Sequence, residues 1–78
     1  MSERSTEDLL SMARRHVAEG EARVACQEAL IVKLDRDGHT ERAVVARELL
    51  DTLQTSLRLA CKDLLWIATW MANGTERR

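Results

Sequence analysis

Cys26, Cys61 and His16 are the side chains best suited to chemistry, because thiolate and imidazole groups bind zinc and thiols respond to oxidants. Their spacing along the chain matches no known ligand motif. His16 and Cys61 together offer two of the four ligands that zinc needs, so only two copies related by symmetry could complete a site. An alternative hypothesis is therefore that the protein is a metal- or redox-responsive sensor using these three residues. Our main expectation is that the protein binds no metal.

The sequence contains no catalytic motif that we recognise. It has no glycine-rich phosphate loop, no zinc-protease helix motif and no nucleophile beside an evident base. Asp35 and Asp37 are acidic residues near a turn, but the remaining ligands of a calcium loop are missing. We predict that the protein is not an enzyme and needs no cofactor.

Trp66 and Trp70 lie four residues apart, which places them on the same face of a helix. Tryptophan is enriched at the residues that dominate binding energy in protein interfaces. The ordinary alternative is that both rings belong to the core of a dimer, which is itself an interface. Both interpretations favour protein–protein contact.

Composition and charge narrow the class of protein. The chain has 78 residues, of which 45% are hydrophobic and 32% charged, as expected for one folded domain. Its net charge of −1 does not favour nucleic acid. Two short basic clusters, Arg14-Arg15 and Arg77-Arg78, leave a nucleic-acid-associated regulator as a second alternative. The longest uncharged run, residues 64–75, falls short of the roughly 20 residues of a membrane span, and residues 1–8 do not resemble a signal peptide. We expect a cytoplasmic protein with no membrane contact.

The elements that must position these residues are two helices. Proline, phenylalanine and tyrosine are absent, and alanine, leucine, arginine and glutamate predominate. Gly38 can adopt the left-handed conformation that ends a helix, and Thr40 can cap the next one. We predict a single all-α hairpin domain over residues 1–78, with helix 1 at about 6–37, a turn at 38–40, helix 2 at about 41–72 and a frayed tail at 73–78.

Both helices carry apolar residues at the a and d positions of a seven-residue repeat, which is typical of helix packed against helix. In a hairpin centred between Gly38 and His39, the numbers of facing residues add to about 77. Each a position then faces a d position, and Gly20 leaves room for Leu57. The predicted coiled-coil-like seam comprises Leu10, Val17, Gly20, Val24, Gln27, Ile31, Leu50, Leu53, Leu57, Leu64 and Ile67, with alanines at several intervening positions.

Many large apolar residues fall outside this seam, too many for a solvated surface. Two hairpins could bury them as a four-helix bundle. The predicted interface consists of Leu49, Leu59, Leu65, Trp66 and Trp70. We therefore expect a homodimeric, non-catalytic protein–protein interaction module, a small regulator or adaptor, whose further protein partner the sequence does not identify.

The segment around His16-Val17-Ala18-Glu19-Gly20-Glu21, with Arg23-Val24 and Arg36-Asp37-Gly38-His39, resembles a recurrent segment of small uncharacterised alphaproteobacterial proteins. The similarity continues through Leu49-Leu50 and Ser56-Leu57 and covers roughly residues 13–59. It implies that this segment is a structural unit of helical-hairpin type, and it implies no catalytic residue. The apolar stretch at residues 64–67 departs from that group, in which the end of helix 2 is more polar.

Overall fold

The protein, described here by a computed structural model, consists of two α-helices joined by a three-residue connection. Helix α1 is Ser2–Arg36 and helix α2 is Thr40–Glu76. The structure describes the backbone of residues 2–76 and the side chains of residues 8–73. Within that part of the chain there is no strand, and the two helices pack along each other in a structure 61 Å long. The predicted all-α helical hairpin is confirmed.

Both helices extend further from the turn than the sequence predicted. Helix α1 begins at Ser2 and not near residue 6, and helix α2 continues through Asn73 and Gly74 to Glu76. Asn and Gly each lower helix stability by only about 1 kcal/mol or less, whereas proline would remove a hydrogen bond, and the chain has none. Asn73-Gly74 is therefore not a stop, and of the tail predicted to fray, residues 77–78 lie outside the described range.

Gly38 reverses the chain through a Schellman motif. Its φ angle of +79° is left-handed, as predicted. The backbone N–H of His39 donates to the carbonyl of Leu34 at 2.9 Å, and the N–H of Gly38 donates to the carbonyl of Asp35 at 3.2 Å. This pair of hydrogen bonds defines the motif, and it satisfies carbonyls that the end of α1 would otherwise leave without a donor.

The cap of helix α2 is one residue earlier than expected. The carbonyl of His39 accepts the first helical hydrogen bond, from the N–H of Ala43 at 2.9 Å. Thr40 is thus the first helical residue and not the cap. The reason is the tightness of the turn, since the N–H of Thr40 donates to the carbonyl of Gly38 at 3.0 Å and leaves no room for a further non-helical residue.

The seam between the helices contains nearly all the shielded side chains. Every a and d position from Leu10 to Met71 is buried or half-buried, and Gln54 alone joins them among residues 8–73. Among residues 8–73, less than one tenth of the surface is exposed only at Ala13, Ile31, Ala43 and Ala46. Three of these four lie near the turn, so the helices pack most tightly there and the core is small.

Two contacts fix the relative position of the helices. A Cβ atom added at Gly20 would lie 3.0 Å from Cδ1 of Leu57, so the absent side chain lets α2 approach at this level. The side-chain Nε2 of Gln27 donates to the carbonyl of Ala46 at 2.9 Å. That carbonyl points one turn along α2, towards Leu50, the residue that the sum of 77 assigns to Gln27.

Replacing Gly38 by alanine should lower the free energy of unfolding by about 1 kcal/mol, because an L side chain is disfavoured in the left-handed region. Gly38→Asn is the matched control and should cost less, since asparagine tolerates this conformation better. Urea denaturation of the three proteins measures the difference. Equal stability of the alanine variant and the wild type would contradict the role assigned to Gly38.

Replacing Gly20 by leucine should destabilise the protein by roughly 1–3 kcal/mol, because the new side chain overpacks the seam against Leu57. The double variant Gly20→Leu, Leu57→Ala exchanges the large and small residues and should recover part of the loss. Thermal denaturation of both single variants and the double variant gives the coupling energy. Strictly additive effects would mean that residues 20 and 57 do not touch in solution.

Candidate interaction surface

An open groove of about 680 Å³ runs between the helices along the half of the hairpin away from the turn. Helix α1 contributes its residues 9–23 and helix α2 its residues 53–67. The groove has an apolar floor and walls with a few polar groups at its edges. The outward-facing residues that line it are Leu9, Met12, His16, Glu19, Arg23, Ser56, Leu59, Asp63 and Trp66.

These lining residues show that the hairpin has two different sides. A residue seven positions along a hairpin helix returns to the same side, with a drift of only about 20° per repeat. Leu30 is seven residues from Arg23, Val45 is fourteen from Leu59, and Trp70 is seven from Asp63. We call the side that carries the groove the groove side, and the other flank the opposite side.

Exposed apolar side chains are concentrated on the groove side. Eleven large hydrophobic residues are at least 44% exposed among residues 8–73. Eight lie on the groove side, namely Leu9, Met12, Leu30, Val45, Leu49, Leu59, Trp66 and Trp70. The three on the opposite side are Val32, Val44 and Leu65. The groove side therefore carries most of the exposed apolar residues, with polar and charged residues between them, and the opposite side carries few.

Trp66 and Trp70 form the largest aromatic feature of this surface. Their ring centroids are 6.5 Å apart with an angle of 9° between the planes, which is a stacked arrangement. Trp66 is 66% exposed and Trp70 is 55% exposed. The two parallel rings thus form one exposed aromatic cluster near the end of the hairpin away from the turn.

The structure separates one residue of the predicted interface from the others. Leu49, Leu59, Trp66 and Trp70 share the groove side, whereas Leu65 is 68% exposed on the opposite side, one residue and about 100° around the helix from Trp66. The predicted interface did not divide the outer apolar residues between the two sides. The seven-residue repeat assigns Leu9, Met12, Leu30 and Val45 to the groove side as well, and it assigns Leu65 to the opposite side.

His16 and Cys61 lie at the same level of the hairpin but on different sides. His16 lines the groove, whereas Cys61 is on the flank that carries Asp35 and Arg47. Both Cys26 and Cys61 are free and exposed. Within the described residues no three His, Cys, Asp or Glu side chains come together to hold a metal ion.

The opposite side carries the ion pair that joins the helices near the turn. Arg47 donates to Oδ2 of Asp35, across the connection, and not to Asp51, four residues further along its own helix. Both side chains are about half exposed, so the pair contributes at most about 1 kcal/mol. Within residues 2–76, neither helix combines the length and apolar character that a membrane span needs.

No protein-family model, curated protein or solved structure matches the chain. The class of protein that the fold and surface define is a small helical hairpin with one apolar side. Its function has to be argued from the groove side, the residues at its edges and the shape of the hairpin.

Both thiols should be free in the native protein. Cys26 and Cys61 are exposed in the hairpin, and the register separates them by about ten residues, or about 15 Å along the hairpin, beyond the roughly 7 Å between Cα atoms that a disulfide allows. A thiol reagent added to the denatured, non-reduced chain should label two sites. A mass two hydrogens lower in the non-reduced monomer would show an intrachain bridge and contradict this placement.

Proposed function

We propose that the protein is a non-catalytic protein–protein interaction module, a small regulator or adaptor, that works as a homodimer. Two hairpins pack with their groove sides together to form a four-helix bundle. The bundle core contains the eight exposed apolar residues of each groove side, and the opposite sides face outward. An adaptor role follows from this arrangement, because each outward flank stays free to contact another protein.

The observation that carries the proposal is the uneven distribution of exposed apolar side chains. Eight of the eleven large exposed hydrophobic residues lie on one side of a thin, two-helix structure. Scattered surface leucines need no explanation, but a contiguous apolar side marks an interface. Fully burying one such side chain is worth about 1.5–3 kcal/mol, so burying eight half-exposed ones in each copy favours association strongly.

The surface area of the hairpin supports the same conclusion. The chain exposes 6403 Å², whereas a compact folded monomer of 8.9 kDa exposes about 4,800 Å². The difference is about 1,600 Å². Its radius of gyration is 17.6 Å, against about 11.5 Å for a compact domain of this length. A second copy supplies the missing layer of packing.

The groove side is also large enough for a stable dimer. The Cα extents of 61 and 18 Å multiply to a face of about 1,100 Å². A standard specific interface buries about 800 Å² on each partner.

We assign the protein to the cytoplasm, where exposed thiols such as Cys26 and Cys61 remain reduced.

Leu59 and Leu65 form a matched pair for testing the proposal. Both are exposed leucines of α2, at 57% and 68%, but Leu59 is on the groove side and Leu65 on the opposite side. Leu59→Glu should remove about 2 kcal/mol of burial per copy, or about 4 kcal/mol per dimer, and so raise the dissociation constant about a thousandfold. Leu65→Glu should leave the dimer intact in sedimentation equilibrium.

Circular dichroism of each variant separates loss of folding from loss of association. Tryptophan emission provides an independent reading, because Trp66 and Trp70 leave water when the groove sides meet. A well-folded wild-type monomer at micromolar concentration would overturn the homodimer. A dimer that is weakened by Leu65→Glu and unaffected by Leu59→Glu would place the interface on the opposite side and contradict the proposed bundle.

A further inference from the structure

We infer that the two copies pack with their turns at opposite ends, so that α1 lies antiparallel to the partner's α1 and α2 antiparallel to the partner's α2. This inference rests on the homodimer proposed above and specifies its geometry. When two hairpins lie lengthwise along each other, a two-fold axis between the groove sides allows either this arrangement or one with both turns at the same end. In the same-end arrangement, α1 of each copy lies on α2 of the other.

The two arrangements bring different residues together, because antiparallel helices pair positions by the sum of their numbers. The outward residues of the groove side alternate between two positions of the seven-residue repeat, as the a and d residues do in the seam. In the opposite-end arrangement the sums can change in steps of seven. Of the registers that best share one symmetry axis, the one with the longest overlap of the helices gives 42 for pairs on α1 and 115 for pairs on α2. In the same-end arrangement, the pairs between α1 and α2 add to 75.

Charge favours the opposite-end arrangement. It brings Arg23 against Glu19 of the partner subunit, and the two-fold axis repeats this pair of opposite charges. The same-end arrangement instead brings Lys33 against Arg42 of the partner subunit. That places four cations together at the turn end, and like charges in contact oppose association.

Side-chain size agrees with the charges. On α2, the opposite-end sums place Trp70 against the partner's Val45, Trp66 against the partner's Leu49 and Leu59 against the partner's Ser56. Each large residue therefore meets a smaller one, as close packing requires.

One symmetry axis serves both helices in the opposite-end arrangement. The α1 pairs are centred on residue 21, and the α2 pairs are centred between Leu57 and Arg58. The hairpin register places that second centre level with residues 19 and 20 of α1. The two centres thus differ by about 2 Å along the hairpin, at a rise of 1.5 Å per residue. A small tilt of the helices accommodates this difference.

Disulfide trapping distinguishes the arrangements, using the native Cys26 in a Cys61→Ser background. The opposite-end sums place residue 16 against Cys26 of the partner subunit, so His16→Cys should give a covalent dimer under mild oxidation. Residues 16 and 26 of one chain are about 15 Å apart on one helix and cannot bridge. Leu49→Cys is the matched control, since only the same-end sums place residue 49 against the partner's Cys26.

Covalent dimer from His16→Cys, with little from Leu49→Cys, is the expected result on a non-reducing gel. The reverse result, or a sedimenting dimer that neither variant cross-links, overturns the inference and leaves the homodimer standing. A monomer in sedimentation, with helicity intact, overturns the homodimer and the inference with it.

A second measurement needs no introduced cysteine. Glu19→Arg and Arg23→Glu should each raise the dimer dissociation constant about tenfold, because each replaces two opposite-charge pairs with like-charge pairs. An equimolar mixture of the two variants should form heterodimers that regain the lost affinity. No gain on mixing would overturn the inference, since in the same-end arrangement these residues face Ser56 and Thr52 of the partner subunit.

Discussion

The left-handed backbone at Gly38 is the constraint on which the hairpin depends. It lets the chain reverse within three residues, and the hydrogen bonds from Gly38 and His39 close the end of α1. Because the reversal is so short, it also determines which residue of α1 faces which residue of α2. The fit of Leu57 beside Gly20 and the hydrogen bond from Gln27 to Ala46 both follow from that register.

The same constraint leaves the hairpin incomplete. Two helices share one line of contact, and here only four residues along that line are buried among residues 8–73, three of them alanines. Small residues in the seam allow a close approach of the helices, but they bury little area themselves. The large apolar residues of the seam are only half-buried, apart from Ile31, and further large apolar residues lie on the flanks, most of them on the groove side. Association through that side would add the packing that a single line of contact lacks.

Much of the fold could be predicted from the sequence because it depends on periodicity. Residue numbers that add to about 77 pair the a positions of one helix with the d positions of the other. Among residues 8–73, these positions and Gln54 are the ones shielded from solvent. Features that depend on a small energy difference between two local alternatives were harder to predict. Thr40 lost the capping role to His39, Gly74 did not stop α2, and Arg47 paired across the turn with Asp35. In each case two alternatives differed by about 1 kcal/mol or less, which sequence patterns do not resolve.

The predicted interface contained residues of the candidate surface, but it did not distinguish the two sides of the hairpin. Leu49, Leu59, Trp66 and Trp70 share the groove side, but Leu65 was grouped with them because outward-facing residues were not divided between two flanks. The information was present in the repeat, since a residue at Leu65 and one at Trp66 point about 100° apart. The exposure of both cysteines has the same origin, because flank positions of a two-helix hairpin remain open to water.

The concentration of buried residues near the turn has a consequence for how the chain folds. The Asp35–Arg47 pair and the Gln27–Ala46 hydrogen bond join residues only 12 and 19 apart in sequence, whereas Gly20 and Leu57 are separated by 37. Closing the longest of these loops costs about 1 kcal/mol more entropy than closing the shortest. Loop-closure entropy therefore favours pairing of the helices from the turn outward, with the tryptophan end paired last. The groove side that carries Trp66 and Trp70 is complete only when the whole hairpin has formed.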